Sequence, residues 1–195
     1  MSVRFDGLTT WPPAERSFAL EDGTQLLLNT QSAVNLRFDA SERRILLVAG
    51  EIMVATRHGS SLAADPRPLL VETAEGSIRS LGTRFTVRQR PERTDVVVLE
   101  SAVAISSRLA PGSTRVLHAG EQTQFSHETI ETPTLTGEQA DAWTRGQLLA
   151  DEQRLGDFLA ELDRNALYAT EFIEPHGLSG TSAATCAQMV APLFG

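Results

Sequence analysis

The sequence is notable first for what it lacks. It contains a single cysteine, Cys186, so no internal disulfide and no multi-cysteine metal cluster can form. All 17 basic residues are arginine, with no lysine, and they are outnumbered by 25 acidic residues, giving a formal net charge of −8. An acidic chain without a basic cluster repels phosphate backbones, which excludes nucleic acid as a natural partner. No run of about 18 apolar residues occurs, so no segment reads as a membrane span. The opening Met1-Ser2-Val3-Arg4-Phe5-Asp6 lacks the charged-then-apolar order of a secretory signal. Aromatic residues make up only 6% and are scattered singly, which argues against an aromatic platform for sugars. No glycine-rich phosphate loop is present. The histidines at 58, 118, 127 and 176 show no metal-ligand spacing, so no metal or cofactor is expected.

What is present is β-texture. From Arg16 to Phe125, short apolar runs are broken by turn residues every 8–12 positions or so, the pattern of an all-β sandwich, roll or solenoid. Asp22-Gly23 signals a hairpin between Ser17–Leu20 and Gln25–Leu28. Val34, Leu36 and Phe38 alternate with polar neighbours as in a half-buried strand. Ile45–Val48 reads as a strand buried on both faces, and Gly50 separates it from Ile52–Val54. Further strands are expected at Leu69–Val71, Ile78–Leu81, Phe85 with Val87, Val96–Leu99, Val103 with Ile105, and Val116-Leu117. No fixed-length repeat is visible.

The texture changes after Phe125. Residues 127–140 read as a polar linker, and Thr136-Gly137-Glu138-Gln139 reads as a capping box opening a helix. Gln147–Ala150 is short enough for a strand. Leu155, Phe158, Leu159 and Leu162 fall at i, i+3, i+4 and i+7, the buried stripe of an amphipathic helix. The division expected is therefore a leader at 1–15, an all-β domain at 16–126, a linker at 127–140 and a helical or α/β appendix at 141–195. The fold class expected is mainly β, an antiparallel sandwich or short solenoid followed by a small, incomplete α/β module.

Two segments carry chemical temptation. Gly180-Thr181-Ser182-Ala183-Ala184-Thr185 is similar to the nucleophile segment of subtilisin-type proteases, but the chain has no segment to supply the Asp and His partners. A fluorophosphonate probe that fails to label Ser182 would dispose of that reading. The second is Gly82-Thr83, read from the residues alone as a strand bent at glycine, with Thr83, Phe85 and Val87 on one side.

An ordered series of landmarks gives the chain a family. Asp22-Gly23-Thr24, Leu28-Asn29-Thr30 with Ser32, Arg44-Ile45, Gly50–Val54, Arg67–Thr73, Leu81–Val87, Val96–Glu100, Ala119–Gln122, Trp143–Leu148 and Leu155–Arg164 follow one another. Together they resemble the FecR family of extracytoplasmic sigma-factor regulators. That resemblance implies a periplasmic sensing part whose partner is the N-terminal signalling domain of a TonB-dependent outer-membrane receptor. It implies control of an iron-starvation-type sigma factor, reached only through a cytoplasmic segment and membrane helix that this sequence does not include. It implies a regulator, not an enzyme, with no cofactor. The appendix resembles a partial secretin/TonB short N-terminal module, and the partner surface expected on it comprises Trp143, Leu148 and Phe158. Some members of the family cut themselves at the Gly-Thr pair of a Leu-Gly-Thr-x-Phe motif, here Gly82 and Thr83. Where the family usually has Glu-Gly, this chain has Glu100-Ser101, and a changed turn is expected there. The alternative reading is a stand-alone β-module binding carbohydrate or cell-wall polymer.

Overall fold

The structure, a computed structural model, describes residues 3–9, 16–56, 65–110, 112–137, 140–145, 147–148 and 191–192. The chain is mainly β, as the alternating runs predict. Strand β5 (Arg43–Ala55) is the spine, because both halves of the fold hang from it. Its first half pairs with β4 (Ala33–Phe38) and, in parallel, with β6 (Leu69–Glu72). That sheet extends through β1 (Val3–Thr9) on the β4 side. On the other side it runs through β7 (Gly76–Ser80), β10 (Ala102–Ser107) and β11 (Thr114–His118).

The second half of β5 pairs with β3 (Gln25–Leu28) and β8 (Arg84–Arg90). Here the sheet extends to β2 (Arg16–Ala19) on one flank, and to β9 (Arg93–Glu100), β12 (Glu121–Phe125) and β13 (Thr134–Leu135) on the other. The result is a curled, mostly antiparallel sheet whose two halves enclose one core. Ile45, Leu47, Val71, Ile78 and Ile105 of one half meet Leu26, Val54, Phe85, Val96 and Phe125 of the other, all buried.

Gly50 explains how one strand serves both halves. Ile45 and Leu47 point inward before it, Ile52 and Val54 after it, so the inward phase shifts by one residue between them. A one-residue slip turns every later side chain to the other face. Gly50 takes it up at φ +84°, where a Cβ would lie 2.6 Å from Ser32 Cα and 2.7 Å from the Gln31 carbonyl. The glycine therefore bends a continuous strand where the sequence predicted a break. Ile45–Val48 is also not buried on both faces, since Val48 is 59% exposed.

Other expectations change too. Residues 3–9, inside the expected leader, form β1 against β4. The expected linker folds back: Glu131 N–H donates to the Gln124 carbonyl and Thr136 N–H to that of Gly120, laying β13 beside β12. The Thr136 hydroxyl lies 3.4 Å from Gln122 Oε1, and the one helical element among the described residues is a 3-10 turn, Ala142–Arg145; Glu138 and Gln139 of the expected capping box lie outside the described residues. Ser101, at the turn where a change is expected, sits at φ +61°, the left-handed region that costs a non-glycine residue about 1–2 kcal/mol. Gln147–Leu148 (β14) pairs with Ala191–Pro192 (β15). The amphipathic helix read at Leu155–Leu162 and the Gly180–Thr185 segment lie outside the described residues.

Candidate functional site

Two of the landmarks stand at corners where the chain passes between the two halves. At the first, Asn29, Ser32, Gly50 and Glu51 interlock. Ser32 Oγ accepts the Glu51 N–H at 2.9 Å and donates to the Glu51 carbonyl at 2.9 Å, clasping that residue's main chain from both ends. Asn29 Nδ2 donates to Glu51 Oε2 at 2.9 Å, and Asn29 Oδ1 accepts the Thr30 N–H at 2.7 Å. Burial of these polar groups is tolerable because they satisfy one another.

The second corner is the crossing from β7 to β8, and it holds the sequence-predicted Gly82 and Thr83. Gly82 sits at φ +82°, a backbone open to glycine at little cost. Thr83 is fully buried, while Leu81 beside it is 48% exposed. Thr56, at the end of β5, clasps Thr83 as Ser32 clasps Glu51. Its Oγ1 accepts the Thr83 N–H at 2.7 Å and donates to the Thr83 carbonyl at 3.1 Å, and its N–H reaches the same carbonyl at 2.9 Å. Ser80 Oγ stands 3.5 Å from both Thr56 Oγ1 and Thr83 Oγ1. Phe85 anchors the next turn of the motif in the core. The Thr56 and Ser80 contributions escaped the sequence reading, since neither belongs to a local motif with Thr83.

Arg84, directly after the corner, reaches outward to the appendix. Its Nη2 lies 3.4 Å from Asp141 Oδ2, its Nη1 3.9 Å from Glu100, and Asp141 in turn holds Arg145 at 2.8 Å. This ion pair ties the 3-10 turn carrying Trp143 to β8, the strand that follows Thr83. Trp143 is half-buried, and its indole Nε1 has no hydrogen-bond partner among the described residues. Leu148 lies in β14, where only its backbone pairing is described, and Phe158 lies outside the described residues. Arg84 thus links the segment that bears Trp143, through Asp141, to the strand that follows Gly82 and Thr83.

Charge elsewhere is structural. Asp22 holds both Thr24 (N–H at 3.0 Å) and the largely buried Arg43, whose Nε also donates to the Arg67 carbonyl at 3.0 Å. The Arg67 guanidinium, hydrogen-bonded to Asp65, holds that carboxyl at about 2, against an ordinary 3.8. Hydrogen bonds from the Ser41 hydroxyl and the Ser41 and Glu42 N–H groups similarly hold Asp39 at about 2. Both carboxylates brace turns. No group of three His, Cys, Asp or Glu suited to a metal occurs among the described residues. A groove of about 260 Å³ over β8, β9 and β12, bordered by Arg88, Arg90, Asp95, Gln122 and Glu131, carries no aromatic side chain among its described lining.

These features define a class: a β-scaffold with hydroxyl-clasped corners, followed by a short segment with a 3-10 turn and a two-residue strand. Residues 6–104, just over half of the chain, match the family model described as FecR protein, and the chain belongs to the FecR family. That membership supports a sigma-regulator role, and the family is non-enzymatic. Two solved structures, each of a protein provisionally assigned as an anti-sigma factor from Parabacteroides distasonis ATCC 8503, share the fold. One, at 20% identity and a TM-score of 0.67, covers 84% of this chain and 74% of its own. The other, at 21% identity and the same TM-score, covers 82% of this chain and 74% of its own. No curated protein matches the chain.

Proposed function

We propose that this chain is the sensing part of an extracytoplasmic sigma-factor regulator. It stands in the periplasm and receives the N-terminal signalling domain of a TonB-dependent receptor on its appendix, residues 141–195. The consequence is control of an iron-starvation-type sigma factor through a membrane-anchored cytoplasmic segment of the kind the family resemblance implies. One observation carries the reading. The 3-10 turn bearing Trp143 is bonded through Asp141 and Arg84 to the strand that follows the Gly82–Thr83 corner, so a load on the appendix reaches the domain's most distinctive corner. No helix of the described residues is long and apolar enough to cross a membrane. The carbohydrate-binding alternative fits less well: Phe85 and Phe125 are buried in the core and Phe18 and Phe38 pack against it, leaving none of the four as a sugar platform.

The test is a sigma-dependent reporter in cells carrying the parent protein. With residues 141–195 deleted, the reporter ceases to respond to the receptor's ligand. An unchanged response would overturn the reading.

The Gly82–Thr83 corner supports a second, compatible role, self-cleavage between those two residues. The observation behind it is the Leu81-to-Phe85 motif built around a positive-φ glycine, with the hydroxyl of Thr83 in the residue directly after the carbonyl it attacks. Attack by Thr83 Oγ1 on the Gly82 carbonyl gives an ester that water opens. Intact-mass measurement of the purified chain reads out this role as fragments 1–82 and 83–195; full-length mass alone, held over days, contradicts it.

A further inference from the structure

The attacking hydroxyl and the departing nitrogen of Gly82–Thr83 are joined by a closed ring of hydroxyls. Thr83 Oγ1 lies 3.5 Å from Ser80 Oγ, Ser80 Oγ lies 3.5 Å from Thr56 Oγ1, and Thr56 Oγ1 lies 2.7 Å from the Thr83 nitrogen. An amide-to-ester shift moves one proton along this route, off the nucleophile and onto the leaving amine. Distances of this size shorten to hydrogen-bond length by small side-chain rotations, as resting catalytic contacts commonly do. We propose that Ser80 and Thr56 form the proton relay for self-cleavage at Gly82–Thr83, an inference that rests on the self-cleavage reading above.

The step balances without an added base. Thr83 Oγ1 bonds to the Gly82 carbonyl carbon as its proton passes to Ser80 Oγ. Ser80 passes its own hydroxyl proton to Thr56 Oγ1, and Thr56 passes its own to the Thr83 nitrogen. The carbonyl π pair rests on oxygen in the five-membered intermediate. It returns as the C–N bond breaks, that bond's pair staying on the nitrogen with the delivered proton. The product is an ester between Gly82 and Thr83 Oγ1 beside a free Thr83 amine, and water hydrolyses the ester to a Gly82 carboxylate and a Thr83 hydroxyl. Thr56 changes role on the way. It accepts from the planar amide N–H at rest and donates once the nitrogen becomes pyramidal and carries a lone pair. Among the described residues, the hydrogen bonds of the three hydroxyls run only to one another and to the Thr83 main chain.

The other corner marks what is specific here. Gly50–Glu51 has the same positive φ and the same hydroxyl clasp, from Ser32, but its second residue offers no hydroxyl to attack with.

The experiment follows the cleavage rate of the purified full chain by intact mass, for wild type, Thr56→Val, Thr56→Ser and Ser80→Ala, in H2O and D2O. Circular dichroism confirms that each variant is folded, and Ser80→Ala carries the test should Thr56→Val fail to fold. The relay predicts that Thr56→Val and Ser80→Ala each slow cleavage by about 100-fold, the usual scale for losing a positioned proton carrier. Thr56→Ser restores the rate to within about threefold, because it keeps the oxygen. The wild-type rate falls in D2O with a curved dependence on deuterium fraction that straightens in folded Thr56→Val, a change that a purely structural role for Thr56 does not produce. Wild type that cuts at the same rate as both folded knock-outs overturns the relay and leaves self-cleavage standing. Wild type that stays intact overturns self-cleavage and the relay with it.

Discussion

The two corners of this domain are built alike and differ in one side chain. Gly50–Glu51 and Gly82–Thr83 both place a glycine near φ +83° (+84° and +82°) where the chain passes from one half of the fold to the other. In both, a hydroxyl from a distant segment takes the N–H and the carbonyl of the second residue, Ser32 in one case and Thr56 in the other. At the first corner that second residue is Glu51, whose carboxylate is engaged by Asn29, so every group there goes into holding the bend. At the second it is Thr83, whose hydroxyl faces Ser80. One architecture thus serves as a structural lock in one place and, on the proposed self-cleavage, as a reactive peptide in the other. What separates them is the hydroxyl, since the positive-φ glycine and the clasp are common to both.

The comparison can be broken from its structural side first. Gly50→Ala forces a left-handed backbone and drives a Cβ against Ser32, which together cost about 3 kcal/mol or more and lower the melting temperature accordingly. Thermal melting reads this directly, and a small loss would mean that the bend relaxes more freely than its packing implies. Ser32→Ala is gentler. It strips the clasp from a buried Glu51 main chain at about 1–3 kcal/mol, and denaturant unfolding measures it. Gly82→Ala costs about 1–2 kcal/mol from its φ, measured in urea melts. A loss near zero would mean that this corner relaxes out of its left-handed backbone.

Two smaller effects lie away from the corners. Ser101→Gly relieves a left-handed serine and raises stability by about 0.5–1 kcal/mol, seen as a higher melting temperature. The Asp65–Arg67 bracket sets an acid dependence. Folded Asp65 holds its proton less tightly (about 2) than an ordinary carboxyl (3.8), so protonation favours the unfolded chain. Its contribution is complete above about pH 4 and is lost as the pH falls toward 2. Asp65→Asn reduces the slope of stability across that window, leaving the share that Asp39 contributes, in acid titrations followed by circular dichroism.

Much of the frame was legible in the residues because strands announce themselves locally. The alternation of Val34, Leu36 and Phe38, the Asp22-Gly23 hairpin, with Gly23 at φ +79°, and the runs at Leu69, Val96 and Val103 all became strands or turns as read. What the sequence concealed is long-range. Gly50 looks like a terminator because a phase shift inside a strand and a gap between two strands give the same apolar pattern. Residues 127–136 look like a linker because their polar side chains say nothing of the backbone bonds that lay them on β12. The left-handed conformation of Ser101 is likewise set from outside, by the pairing of β9 with β8 and of β10 with β7 on either side. The site was half visible. Gly82 and Thr83 stand in a readable motif, whereas Thr56 lies 27 positions away and reaches them only through the pairing of β5 with β8. Ser80 is close in sequence, but its role depends on that same distant partner.

The most direct test of the sensing role is a calorimetric titration of the folded chain with the N-terminal signalling domain of the TonB-dependent receptor encoded beside it, repeated with Trp143→Ala. The account predicts saturable binding, micromolar or tighter, weakened at least about tenfold by the substitution. No heat from a folded chain, or binding indifferent to Trp143, would contradict it.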